Sequence, residues 1–167
     1  MKRIASTIFS VLIFMVITLS ASGQKSDFQG TWKLDRVKST LPANLPTLNG
    51  ITINLKGDSL LTERVYDGQG GGEYPFTENM TLDGKEYKLT VYDMPRKVKV
   101  TLSDQEKAIN LESTTTFNGP DGPSDFLCKE TWKVDKATNI LTINYVNTVS
   151  GSEENGAFVF TKAEGVK

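Results

Sequence analysis

Histidine is absent from the 167 residues, and Cys128 is the only cysteine. Without His the chain lacks the commonest general base and the commonest metal ligand. With one Cys it cannot close an internal disulfide, so a packed core must hold the fold together. A thiol nucleophile without an imidazole lacks its usual activating partner, and Cys128 reads as a small buried hydrophobe. No cluster of basic residues marks a nucleic-acid or anionic membrane surface. The lysines are scattered and mostly alternate with apolar residues, as on the wet face of a sheet. Helical stripes are missing too. The best helix candidate, 36–49, contains Pro42 and Pro46.

Long apolar runs are scarce. One, at 8–19, follows Lys2 and Arg3 and precedes Ala21, Ser22 and Gly23. It is short for a membrane span and has the flanks of an export signal cleaved after Gly23. No Cys near that point offers a lipid attachment site. The expectation is a signal peptide over 1–23 and one domain over 24–167, secreted or periplasmic, with no stable membrane anchor after cleavage and of monomer size. Loss of Lys2 and Arg3 from the 19 basic side chains leaves 17 against 20 acidic, a net charge of −3.

What the chain does have is a period of two. Ile51, Ile53 and Leu55 alternate with Thr52, Asn54 and Lys56. Tyr87, Leu89 and Val91 alternate with Lys88, Thr90 and Tyr92. Val98, Val100 and Leu102 alternate with Lys97, Lys99 and Thr101. Branched and aromatic residues in this pattern make half-buried antiparallel strands. Turn signals divide the chain into ten: 28–35, 50–56, 59–67, 73–82, 86–92, 96–102, 107–117, 126–134, 139–148 and 156–162. Short turns at 56–58 and 83–85 favour hairpins between sequential neighbours. In a meander, connections alternate between two ends, and most of the long Gly/Pro-rich segments then fall at one end. That arrangement suits a barrel with a mouth and a closed base. Closure also removes the exposed edges of an open sheet. The expected fold is all-β, a closed up-and-down antiparallel barrel of about ten strands; the alternative is a two-sheet β-sandwich.

Residues 28–35 read FQGTWKLD, and 38–42 read KSTLP. The pattern Phe28-x-Gly30-x-Trp32 with Lys33, Leu34 and Asp35 resembles the first strand of lipocalin-like proteins of the calycin superfamily, including bacterial secreted lipocalin-like domains. The resemblance implies a ligand-holding barrel in which Trp32 plugs the base and a basic residue near the last strand, here Lys162, covers its indole. The chain stands between branches. It lacks the helix that follows a lipocalin barrel and the two helices of a fatty-acid-binding protein. A second TWK, at 131–133, reads as coincidence at a strand end, since its flanks do not align with the first.

Strand parity places several polar residues among apolar neighbours. Glu78 lies between Phe76 and Met80, Glu130 between Cys128 and Trp132, and Ser113 and Thr115 on the face of Ile109 and Leu111. Around residue 60 parity leaves open whether Glu63 or Arg64 points inward. Buried carboxylates need partners, and Arg64 suits Glu78 or a ligand carboxylate. The candidate ligand-binding residues are Arg64, Glu78, Tyr87, Ser113 and Glu130. No catalytic set, metal site or cofactor motif is expected: no calcium-loop spacing is met near 118–125, and the glycines of 67–73 open no helix. The functional expectation is a non-enzymatic carrier of a small, largely apolar or amphipathic molecule, with the first and the Gly-rich connections as lid. The alternative is a solid-cored barrel whose open-end loops contact a protein or glycan, with Tyr66 or Tyr92 as solvent-facing anchors.

Overall fold

A computed structural model describes residues 27–43, 45–68, 71–119 and 122–163. The expected signal segment at 1–23 lies outside the described residues. Ten strands follow in order: β1 (Gly30–Leu34), β2 (Thr47–Lys56), β3 (Ser59–Asp67), β4 (Glu73–Thr81), β5 (Asp83–Val91), β6 (Met94–Ser103), β7 (Ala108–Gly119), β8 (Gly122–Asp135), β9 (Ile140–Val149) and β10 (Ser152–Lys162). They form one antiparallel sheet in the order β4-β3-β2-β1-β10-β9-β8-β7-β6-β5. This is a single meander rolled into a barrel, not a two-sheet sandwich. Most strands alternate inward and outward positions, as the period of two dictates; β6 carries Arg96, Val98 and Val100 inward with Lys97 and Lys99 outward.

The roll closes where β4 meets β5, and no backbone ladder among the described residues joins those two strands. Side chains cross the seam instead. Thr81 and Tyr87 share a hydroxyl hydrogen bond of 2.7 Å, the Tyr92 hydroxyl donates to the Pro75 carbonyl at 2.6 Å, and Arg96 on β6 reaches Glu78 on β4 at 2.8 Å. The expected hairpin turn at 83–85 is therefore corrected. Gly84, at φ +78°, lies inside β5 in a bulge between Asp83 and Glu86, and Asp83 pairs with Thr101 of β6. Asp83 also accepts from the Thr81 hydroxyl, which turns the chain at Leu82 without a ladder.

The two ends differ, though less in loop length than the composition suggested. Base connections are short, and so are two mouth connections. β7 runs to Gly119 and β8 starts at Gly122; β9 ends at Val149 and β10 starts at Ser152. Segments read as long loops belong instead to protruding hairpins. The first connection remains long and is strapped along β10. Asp35 N–H donates to the Val159 carbonyl and Thr40 N–H to the Ala157 carbonyl at 2.8 and 2.9 Å, while Ser39 Oγ accepts from Val159 N–H at 2.9 Å. It fills the wall beyond the five residues of β1.

At the base lies a dense apolar core of Trp32, Ile51, Ile53, Leu60, Val100 and Phe160, all at most 1% exposed. Trp32 Nε1 donates to the Phe28 carbonyl at 2.9 Å, so the indole's one polar atom is satisfied in an apolar site. Lys162 pairs with Trp32 in register, and its ammonium lies 5.2 Å from the ring centroid. To get there its stem crosses Gly30, where an added Cβ would meet Lys162 Cε at 2.9 Å and where φ is +127°. Only glycine suits that position.

Candidate functional site: a mouth cavity above a buried ion network

Halfway up the barrel the inward positions turn from apolar to charged. Four buried charged side chains meet there: Arg64 of β3, Glu78 of β4, Arg96 of β6 and Glu130 of β8. Parity resolves in favour of Arg64, which is fully buried with Leu60 and Thr62, while Glu63 faces solvent. In the strand order β3 and β8 are on opposite walls, so Arg64 spans the interior. Its two terminal nitrogens donate to the two oxygens of Glu130, both at 2.8 Å. Its Nε sits 3.3 Å from Glu78 Oε2 without the alignment of a hydrogen bond. Glu78 Oε1 accepts from Arg96 Nε at 2.8 Å, and Arg96 Nη1 donates to Thr115 Oγ1 at 3.0 Å.

Glu130 is saturated. Besides the Arg64 fork it accepts from Trp132 Nε1 at 2.7 Å and from the Cys128 thiol at 3.8 Å. Burial pushes its carboxyl up, but the Arg64 charge, that fork, Trp132 and Arg96 outweigh burial and hold it below the ordinary 4.5. Burial also pushes the Arg64 pKa down, and Glu130, Tyr66 and Glu78 reverse this to leave it well above its ordinary value. The Cys128 thiol is pushed up, first by burial and then by Glu130, so it is a protonated thiol at neutral pH. The guanidinium of Arg64 lies 5.1 Å from the Trp132 ring centroid, so the network rests directly on the apolar base.

Above this floor is a cavity of about 620 Å³ that opens toward the mouth. Its size falls within the roughly 300–1,000 Å³ of small-molecule sites. Phe76, Phe117, Phe126, Phe158, Met94 and Val149 supply its apolar wall, and Leu45 and Pro46 of the first connection close one side. Tyr66 belongs to this wall, stacked on Phe76 at 5.6 Å, with its hydroxyl 3.3 Å from Arg64 Nη1. That corrects the expectation of Tyr66 as a solvent-facing anchor: parity continues inward past Arg64. Tyr92 is 52% exposed at the rim and meets Tyr74 edge-to-face at 6.0 Å. Tyr145 fixes the strap to the wall. Its hydroxyl donates to the Thr40 carbonyl at 3.0 Å, and its ring lies against Gly156, where an added Cβ would collide with the phenol and with Thr40 O at 2.7 Å.

Of the five sequence candidates, Glu130 lines the cavity. Arg64 and Glu78 lie in the floor beneath it, paired with each other and with Glu130 and Arg96. Ser113 is buried outside the described wall, and its hydroxyl finds no partner among the described residues. Tyr87 faces the seam, bonded to Thr81. Two residues not singled out from sequence matter as much. Arg96 shares the face of Val98 and Val100, a parity signal that was available. Asn147 shares the face of Leu141, Ile143 and Tyr145; it is 7% exposed, lines the cavity, and its amide oxygen has no partner among the described residues. The chain matches no protein-family model and no curated protein.

Proposed function

We propose that this barrel is an exported, calycin-like carrier that holds a small, largely apolar molecule in its mouth cavity. The observation that carries the reading is the 620 Å³ space itself, walled by aromatic and aliphatic side chains and floored by a charge-paired ion network. A solid interaction module needs a filled interior, so the cavity favours carriage. Lys162 over Trp32 behind Gly30 is the arrangement that the lipocalin resemblance implies, and it supports the family reading. The reading is of a binding protein and not an enzyme. Glu130, held ionised by Arg64, is poorly placed to deliver a proton at neutral pH.

Native mass spectrometry of protein purified under mild conditions, alone and with fatty acids, fatty alcohols, retinoids and porphyrins, tests this. The expected result is a one-to-one complex whose melting temperature rises with ligand concentration. Failure of every compound to bind or stabilise would count against carriage and return the exposed Tyr74–Tyr92 rim to consideration as a docking surface.

A further inference from the structure

We propose that the cavity takes an uncharged amphiphile whose head donates a hydrogen bond, a hydroxyl or amide, and that it discriminates against organic anions. This rests on the carriage reading above and names its ligand class. A barrel that grips a carboxylate needs a cation left over for it. Among the described residues the four buried charged side chains balance, two arginines against two glutamates. Arg64 is forked onto Glu130, and Arg96 is bonded to Glu78 and Thr115. Arg96 and Glu130 are the charged side chains in the described wall, one of each sign. An entering carboxylate would be a third buried negative charge against two positive ones, and desolvating an ion without an unmatched partner is costly.

The wall does hold one side chain with an unpaired polar atom. Asn147 lines the cavity, and its buried amide oxygen has no partner among the described residues. A carbonyl oxygen repels a carboxylate and accepts from a hydroxyl or amide N–H. A bound donor would relieve that unsatisfied group, whereas an apolar or anionic head would leave it so.

The test compares decan-1-ol with decanoate, matched in chain length, by calorimetry and melting shift at neutral pH below their solubility limits. The alcohol is expected to bind at least about tenfold more tightly than the acid. Asn147→Leu, which replaces the amide with a hydrocarbon of similar volume, should remove most of the alcohol's advantage. Glu78→Gln, which strips Arg96 of its counter-charge, should raise decanoate affinity about tenfold. Its fold is checked by circular dichroism; if it does not fold, the wild-type comparison decides alone. Decanoate binding to the wild type as tightly as the alcohol overturns the proposal while leaving carriage intact. Binding of neither compound, nor of any other tested, removes carriage and this inference together.

Discussion

At the residue scale the ion network decides most. Among the described residues, Arg64 is the side chain that pairs with both Glu78 and Glu130. Removing one partner of such a network leaves uncompensated buried charge, whereas removing matched partners does not. Arg64→Leu should therefore cost about 3–5 kcal/mol in urea unfolding. The double change Arg64→Leu with Glu130→Leu should cost clearly less than the two single changes added together. Near-perfect additivity would mean that the fork contributes no coupling. Tyr66 supplies a pH test. Burial pushes its phenol up, and Glu130 adds to this while Arg64 opposes it, to a pKa of about 12 from an ordinary 10.0. The folded state thus keeps a proton that the unfolded chain releases above pH 10. The stabilisation from Tyr66 is intact below 10 and lost as pH rises through about 12. The gap in stability between the wild type and Tyr66→Phe should shift across that window, with phenolate absorbance reporting the titration itself. A constant gap would show that the phenol ionises alike in both states.

At the scale of elements, the strands were readable because each has one wet and one dry face, and a period of two survives in any local window. Partners across the interior were not. That Arg64 meets Glu130 depends on where β3 and β8 stand after closure, and no local pattern encodes that distance. Arg96 was legible by parity with Val98 but fell at the edge of its expected strand. Asn147 was masked by belonging to a run that otherwise reads as simple core. The seam was misread for a local reason. Asp83-Gly84 has hairpin composition, yet Gly84 uses its positive φ for a bulge within β5. The seam has its own signature. Amides of β4 and β5 that face each other lack ladder partners, so they should exchange with solvent faster than the inward ladder amides of β7 and β8. Tyr92→Phe, losing the bond to Pro75, should speed that exchange further while costing at most about 1.5 kcal/mol of global stability. Uniform protection around the barrel would show the seam to be as well joined as the ladders.

For the molecule as a whole, the strand order places β1 beside β10, mid-sheet, although they are the first and last strands in sequence. The longest-range pairing, Trp32 with Lys162, must therefore form before the two halves become one surface. Contacts so distant along the chain slow folding. A permuted chain beginning at Asp83, with a short linker joining the end of β10 to the start of β1, would run β5 through β10 and then β1 through β4. Every ladder would then link consecutive strands. Such a protein should keep the cavity and the Lys162–Trp32 contact yet refold faster in stopped-flow measurements. Unbroken at its middle, the natural chain carries its discontinuity where no backbone hydrogen bond has to be given up to cut it.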